Sequence, residues 1–543
     1  MRLIDCKAEP LRQEVFEEWT CPPFAILSHT WGADEVTYQD FANVQARQTK
    51  QGWAKVQTAC SVARQHGFDY IWVDSCCIDK TNISELAESI NSMFRWYNIA
   101  DVCIAILDDF DATGGDWNLL QQARWFTRGW TLQELVAPQE VYFYDKDWTL
   151  FGTRSSLVSQ LSSITAISSS ILMPPPGVLI RDLLDDVPVA RRMSWAAERQ
   201  TTKKEDIAYC LLGIFGVNMP MLYGEGAQAF VRLQEEVIKD NNDLTIFAWL
   251  SQDGSPMRGI LASSPAEFAN TGSLEAINDS KFNPEFAMSN KGLRIQTLLY
   301  PTNNGEVIMP LFCRPPEAGV DQVGIVIKHQ GASVYTRTNP HMLGRVSDNA
   351  SASSSSNIFL TKRVKSVTPQ KMNSSQRQVF RLNPSYRQNG SVRLVQAGPE
   401  ELWDAANHEF LTSGLTEFAA FIRFHVEAAN PGQFVIACGF HKSGGPWVCV
   451  DDESGLLYLT AVGGDYRHLA ELGKSRCIKK DKMTSHNLMA RIGGNQSYAI
   501  RFAAAKVRWS YEQMESELGV SIDLEVKKNA MPMMPYRIGA SRN

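Results

Sequence analysis

The stretch Gln121–Pro138 concentrates residue types that do chemistry in many proteins, namely two tryptophans, two arginines and one carboxylate, Glu134. Thr131 and Glu134 have the T-x-x-E spacing of a capping box, in which two side chains satisfy each other's backbone N–H groups at a helix start. Glu134 is therefore either a helix cap or a carboxylate presented at the edge of a cleft. Both interpretations stay open.

Polar residues also follow two apolar runs earlier in the chain. Ser28 and His29 end one run, and Asp74 ends the next. In open α/β sheets, ligands bind at the carboxyl ends of the strands, so these side chains are candidates for a site. His29 suits a general acid or base, or equally a hydrogen bond that closes the turn. Asp74 suits a ligand contact or a structural turn.

Neighbouring side chains allow both a functional and a structural interpretation. Trp31 and Trp130 are either core residues or stacking surfaces, and their position beside apolar runs favours the core. Arg128 either binds a phosphate or pairs with an acid. The adjacent Cys76 and Cys77 could serve a cysteine hydrolase, but no nucleophile signature surrounds them, which favours buried structural thiols.

Short apolar strands alternate with amphipathic helices in the first 150 residues, which predicts an α/β domain built on a parallel sheet. The strands are expected at residues 24–28, 70–73, 102–107 and 141–144. Asn82 is placed to cap the helix that follows the second strand, and the apolar face of that helix is expected to begin at Ile83.

The remainder of the chain changes pattern twice. Residues 151–250 have helical periodicity and are expected to form an extension packed on the first domain. Residues 251–543 alternate with a period of two and predict a β-rich module, an antiparallel sandwich, with a mobile serine-rich loop at 347–357.

Bulk composition excludes several classes of protein. The net charge of −6 and a pI near 5.9 provide no general basic field for nucleic acid or an anionic membrane. We find no signal peptide and no run of about 18 apolar residues that would span a membrane. The 11 cysteines contain no C-x-x-C pair, so neither a metal site nor a disulfide framework is predicted, and a reduced, cytoplasmic location is expected.

Three blocks resemble, in order, the signature motifs of the fungal heterokaryon incompatibility (HET) domain. They are Ser28–Gly32, Trp72–Asp79 and Arg124–Leu135, and the resemblance covers residues 20–145. The segments Arg199–Phe215 and Tyr223–Gly226 resemble the helical region that follows many such domains. The resemblance implies a cytosolic effector of vegetative incompatibility and regulated cell death, a form of fungal innate immunity, with a protein partner in that signalling.

Element order and the segment Trp130–Leu135 are also similar to TIR domains of plant immune receptors, in which a W-C-L-x-E-L segment carries the glutamate needed to hydrolyse NAD. Thr131 replaces the cysteine here. This resemblance implies a TIR-like or flavodoxin-like sheet, self-association, and NAD as a substrate with no separate cofactor. Glu134 would be catalytic, and the implied substrate-binding residues are Ser28, His29, Trp31, Asp74, Arg128 and Trp130. The alternative is a non-enzymatic signalling module that acts through protein contacts, with a structural Glu134.

Overall fold

The computed structural model describes most of the first 364 residues and selected strands of the remainder. The described residues are 1–114, 117–277, 283–302, 306–316, 322–331, 333–347, 355–364, 377–382, 392–405, 408–411, 418–426, 432–440, 446–451, 486–492, 496–506 and 517–525. The predicted serine-rich loop lies largely outside them. None of the helices in these residues is long and apolar enough to cross a membrane.

The chain forms two compact units. The first contains residues 1–329 and 335–364, and the second contains residues 330–334 and 365–543. The boundaries predicted at residues 150 and 250 stay predictions.

A seven-stranded mixed sheet organises the first part of unit 1. Its strands are β1 (Arg2–Asp5), β2 (Arg12–Val15), β3 (Phe24–His29), β4 (Tyr70–Trp72), β5 (Val102–Ile106), β6 (Val141–Tyr144) and β7 (Leu150–Thr153), in the spatial order β2-β1-β4-β3-β5-β6-β7. The four central strands are parallel, as predicted, whereas β1, β2 and β7 pair in antiparallel fashion, with β2 and β7 at the two edges. Every residue of β3 and β5 is buried, as expected for strands covered on both faces.

Helices connect and follow these strands. Those between the strands are α1 (Tyr38–Ala42), α2 (Val44–Thr49), α3 (Trp53–Gln65), α4 (Asp74–Cys77), α5 (Ile83–Ile99), α6 (Arg124–Thr127) and α7 (Thr131–Val136). Those after the sheet are α8 (Val158–Thr165), α9 (Ser169–Leu172), α10 (Ile180–Asp185), α11 (Val189–Ser194), α12 (Asp206–Tyr209), α13 (Leu212–Phe215) and α14 (Gln228–Asp240).

Helix α5 confirms one local prediction and corrects another. The side chain of Asn82 accepts hydrogen bonds from the first-turn amides, so the predicted cap is present. Ile83, however, is 79% exposed, so the apolar face does not begin there. The buried face is set instead by Trp72 of β4, whose ring packs edge-on against Trp96 and Tyr97.

The segment after α11 is joined to the stretch before α7 by backbone and side-chain hydrogen bonds. The Gln200 amide donates to the Thr127 carbonyl at 2.7 Å, and the Gly129 amide donates to the Gln200 carbonyl at 2.9 Å. The buried guanidinium of Arg199 donates to the Arg128 carbonyl at 2.8 Å. These contacts hold the residues around Glu134 against a segment about 70 positions later in the chain.

The rest of unit 1 is rich in strands, as the period-two pattern predicts. A ten-stranded sheet contains β8 (Met257–Arg258), β9 (Glu275–Ala276), β10 (Phe286–Ser289), β11 (Gly292–Thr297), β12 (Tyr300–Pro301), β13 (Val307–Arg314), β14 (Gln322–Gly331), β15 (Val334–Thr338), β16 (Gly344–Val346) and β17 (Ser356–Leu360). The turn around residues 330–334, between β14 and β15, is grouped with unit 2.

The described residues of unit 2 form two sheets. Their strands are β18 (Arg377–Leu382), β19 (Val392–Gly398), β20 (Trp403–Asp404), β21 (Glu409–Leu411), β22 (Phe418–Val426), β23 (Gly432–Phe440), β24 (Pro446–Asp451), β25 (His486–Ile492), β26 (Gln496–Lys506) and β27 (Glu517–Glu525). The spatial orders are β20-β21-β18-β27-β26-β25 and β19-β22-β23-β24. Because β18 and β27 pair in parallel, the prediction of wholly antiparallel pairing is wrong.

Candidate functional site

The parallel strands direct the predicted site residues to one edge of the sheet. Ser28 and His29 end β3, and Asp74 begins α4 directly after β4. The chain passes from β3 to β4 on one side and then to β5 on the other, so the order of strands reverses beside β3. Ligands of open α/β sheets bind at such a reversal. Helix α7, which carries Glu134, lies in the connection between β5 and β6.

Glu134 and Ser28 are hydrogen-bonded although 106 positions separate them. The Ser28 hydroxyl donates to Glu134 Oε2, and the indole N–H of Trp125 donates to Ser28 Oγ at 2.8 Å. Ser28 and Trp125 are fully buried and Glu134 is 7% exposed. A serine near the end of β3 and the glutamate of another motif therefore form a single polar contact inside apolar surroundings.

The predicted capping box is absent. Thr131 is the first residue of α7 and not its cap, and no side chain caps this helix. The Thr131 hydroxyl oxygen lies 2.5 Å from the Trp125 carbonyl and 2.9 Å from the Arg128 carbonyl. Because this hydroxyl faces carbonyl groups, Glu134 is left free to bond Ser28. The helix-cap interpretation of Glu134 is wrong.

Burial raises the pKa of Glu134 to about 8. The negative charge of Asp74 adds to this effect, while the hydrogen bond from Ser28 and the positive charge of Arg128 oppose it. A carboxyl group of this kind is mostly protonated at neutral pH. Perturbed carboxyl groups of this sort are common at functional sites.

Asp74 is the centre of a second polar group. The imidazole Nε2 of His29 lies 2.9 Å from Asp74 Oδ1, and the indole N–H of Trp31 donates to Oδ2 at 3.0 Å. Burial opposes ionisation of Asp74, but the charge of Lys80 and the hydrogen bond with His29 hold its pKa well below the ordinary value. Asp74 is therefore a carboxylate, and we assign the proton of the shared hydrogen bond to His29 Nε2.

His29 has one ring nitrogen left over. Its Nδ1 is buried and makes no hydrogen bond with a described residue; the nearest acid is Glu35, whose Oε1 lies 4.0 Å away. That carboxylate already accepts from the Gly32 amide at 2.7 Å and pairs with Lys55. His29 is held between two carboxyl groups, and its one hydrogen bond with a described residue reaches Asp74, 45 positions along the chain, so the ring does not close its own turn by a local hydrogen bond.

The two adjacent cysteines behave as structural residues. Cys76 and Cys77 are buried, and burial raises the pKa of Cys77 to about 12 and that of Cys76 well above its ordinary value. The Cys76 thiol donates to the Val36 carbonyl and not to His29. Since the thiolate is the nucleophilic form, these side chains do not suit a cysteine hydrolase.

Arg128 and Trp130 lie just before α7 in the chain and are half-buried. The charge of Arg128 lowers the pKa of Glu134, and the indole N–H of Trp130 lies 3.5 Å from Asp206 Oδ2. Asp206 also accepts from the Tyr223 hydroxyl at 3.0 Å. These two partners were not predicted as site residues, although Tyr223 belongs to a segment that the sequence singled out.

The described part of unit 1, taken alone, shows no group of three His, Cys, Asp or Glu ligand atoms within 4.8 Å of one another. The side chains at this edge are a protonated glutamic acid beside a serine, an ionised aspartate beside a histidine, and two cations, Lys80 and Arg128.

Comparison with known proteins identifies part of the chain. The Podospora anserina protein named "Vegetative incompatibility protein HET-E-1" is 44% identical over 233 residues, which is 41% of this chain and 17% of that protein. The chain thus spans well under two thirds of this relative. No solved structure shows a significant match. The family model "Heterokaryon incompatibility protein (HET)" matches residues 24–119. This segment, with Ser28, His29 and Asp74, is therefore a HET domain, and Glu134 follows shortly after it.

Proposed function

We propose that this chain acts in heterokaryon incompatibility as an effector of regulated cell death, and that its chemistry is hydrolysis of NAD at Glu134. The HET domain and the similarity to an incompatibility protein support the biological role. The hydrogen bond between Ser28 and Glu134 is the observation that carries the chemistry. It brings a buried carboxyl group to the carboxyl edge of the parallel strands, where TIR-like catalysis needs one.

The reaction would break one bond and form another. The bond between the ribose C1′ and the nicotinamide nitrogen breaks, and its electron pair leaves with neutral nicotinamide. A water oxygen then bonds to C1′ and releases a proton, which gives ADP-ribose. The ribose carries developing positive charge between these steps, and the carboxylate of Glu134 would stabilise that charge.

The raised pKa of Glu134 gives this proposal a pH signature. With a pKa of about 8, about a tenth of the carboxyl groups are ionised at pH 7. The positive nicotinamide ring favours the ionised form once it lies nearby. We therefore expect kcat/KM to rise with pH and to level off above about pH 8.

The test is NAD consumption by the full chain, followed by chromatography of nicotinamide and ADP-ribose. Wild type should consume NAD, and Glu134→Gln should lose at least ~100-fold in rate, because a neutral amide cannot stabilise the developing charge. Glu88→Gln is the matched control, because Glu88 is exposed on α5. This variant should consume NAD at the wild-type rate. Equal rates for wild type and Glu134→Gln would refute the catalytic role.

One observation favours the rival function, a non-enzymatic signalling module that recruits a protein partner. Ser28 is fully buried and Glu134 is 7% exposed, so their contact also suits a purely structural role. Absence of NAD consumption by the wild-type chain, even when concentrated or clustered, would support this alternative. In that case incompatibility signalling would depend on the exposed surface of the HET domain.

A further inference from the structure

Strand β2 is one edge of the seven-stranded sheet, and part of its backbone faces away from the sheet. The Met1 amino group donates to the Phe16 carbonyl at 2.7 Å, and the Phe16 amide donates back to the Met1 carbonyl at 2.8 Å. Because bonded and non-bonded pairs alternate along an antiparallel ladder, Val15 and Gln13 belong to non-bonded pairs with β1. Their N–H and C=O groups therefore point outward, where they make no hydrogen bond with a described residue.

The other side of β1 shows the same alternation. The Cys6 amide donates to the Asp69 carbonyl at 2.8 Å, so the even-numbered residues of β1 bond towards β4 and the odd-numbered ones towards β2. The Gln13 side chain donates from Nε2 to the Cys76 carbonyl at 2.8 Å, so it turns towards α4 and not across the edge. The outward backbone groups of β2 are therefore an open strand edge, which can pair with another strand.

The sequence of this edge complements itself when it is read in the opposite direction. The residues are Leu11, Arg12, Gln13, Glu14 and Val15, in the order apolar, cationic, polar, anionic and apolar. In an antiparallel pair centred on Gln13, Arg12 lies opposite Glu14 of a second copy, and the two-fold axis repeats this contact. Leu11 lies opposite Val15 in the same register. A register centred on Glu14 would set two glutamates against each other, which disfavours it.

The groups that would meet the second copy are accessible. The Arg12 side chain is 66% exposed, and its ion pair with Glu14 of the same chain lies at the surface, where such pairs contribute little. Val15 is 74% exposed, and strand pairing would remove part of this apolar side chain from water. The Leu11 carbonyl accepts from Arg47 Nη1 at 2.9 Å and keeps one lone pair for another donor.

We propose that β2 is a self-association surface, at which two copies of this chain pair their β2 strands antiparallel about a two-fold axis at Gln13. This pairing joins two seven-stranded sheets into one continuous sheet. Because β2 has only four residues, the association is weak, reversible and dependent on protein concentration. The inference goes beyond the proposed function, since it involves neither Glu134 nor NAD.

Sedimentation velocity of the full chain over a range of micromolar concentrations tests this surface. Wild type should show a reversible equilibrium between monomer and dimer. Arg12→Glu and Glu14→Arg should each weaken dimerisation by about tenfold, because both cross-strand ion pairs become pairs of like charge. Arg64→Glu and Glu88→Arg make the same changes of charge at exposed positions on α3 and α5, and these controls should dimerise like wild type.

The two charge-reversed variants should bind each other. A mixture of Arg12→Glu and Glu14→Arg again sets opposite charges against each other at both cross-strand positions, so a heterodimer should form with about the wild-type affinity. The doubly substituted chain Arg12→Glu/Glu14→Arg should form a homodimer for the same reason. This exchange distinguishes the register centred on Gln13 from a general effect of charge.

A proline at position 13 tests the backbone contribution. Gln13→Pro removes an outward N–H that takes no part in the pairing of β1 with β2, and an edge strand tolerates proline at such a position. This variant should dimerise at least about tenfold more weakly than wild type. Gln13→Ala keeps the N–H and should dimerise like wild type, and urea unfolding of each variant checks that the fold is retained.

Three results would overturn the inference. They are a wild type that stays monomeric at every concentration, charge-reversed variants that dimerise like wild type, and a mixture of the two that forms no heterodimer. Glu134→Gln should dimerise like wild type whether or not the chain consumes NAD. Failure of the self-association surface and failure of NAD hydrolysis are therefore distinguishable.

Discussion

Replacing Glu134 with glutamine should stabilise the folded protein at neutral and alkaline pH. The folded-state pKa of Glu134, about 8, lies above the ordinary value of 4.5. Between these values the unfolded chain releases the proton while the folded chain keeps it. The free energy of unfolding therefore falls as pH rises through this window, and the loss is complete above about pH 8. Below about pH 4.5 both states keep the proton and the loss disappears.

The size of the effect follows from the two pKa values. They are about 3.5 pH units apart, and each unit corresponds to about 1.4 kcal/mol, so the upper limit is about 5 kcal/mol. At pH 7 the raised pKa of Glu134 lowers the free energy of unfolding of wild type by about 3 kcal/mol, by the same reasoning. Glutamine is neutral at every pH, has nearly the same shape, and offers an amide oxygen that can accept from the Ser28 hydroxyl.

Urea unfolding, followed by tryptophan fluorescence, measures the free energy of unfolding of wild type and Glu134→Gln at about pH 5, 7 and 8.5. We expect the advantage of the variant to be small at about pH 5 and to grow by about 2–5 kcal/mol towards pH 8.5. Glu88→Gln, at an exposed position on α5, should match wild type throughout. A stability difference that does not change with pH, or a variant less stable than wild type at pH 8.5, would refute the reasoning.

Two substitutions test the packing that positions this site. Gly129→Ala should cost about 1–3 kcal/mol of unfolding free energy, because a Cβ there would lie 2.5 Å from the Thr201 methyl group. Gly114→Ala is its control, since the nearest atom to that Cβ is 3.9 Å away; equal losses in denaturant unfolding would contradict the steric argument. Asn82→Ala should cost about 1 kcal/mol through loss of the α5 cap, and Asn82→Asp should retain most of it. Equal losses for alanine and aspartate would show that the cap contributes nothing.

Local sequence pattern was sufficient for the four parallel strands of the first 150 residues. Each predicted strand there is present, because a buried parallel strand needs a short continuous apolar run and a helix needs a different period. The cap at Asn82 was also predictable, since a cap depends on residues within one turn. The edge strands β2 and β7 were not predicted, because edge strands need no such apolar run. Strand β1, which lies between β2 and β4, was not predicted either, since only Leu3 and Ile4 of its four residues are apolar.

What the sequence by itself determined, then, is the order of strands and helices and the residue types at their ends, since both depend on neighbours within a few positions. Tertiary structure decided the partner of Glu134. Sequence spacing offered Thr131, three positions away, as one possible partner, whereas the fold brings Ser28 within hydrogen-bond distance across 106 positions. It likewise brought Asp206 to Trp130 and Lys80 to Trp31. The reason is physical: a helix period fixes which residues are adjacent along one element, but only the packing of separate elements fixes which side chains share a buried polar contact.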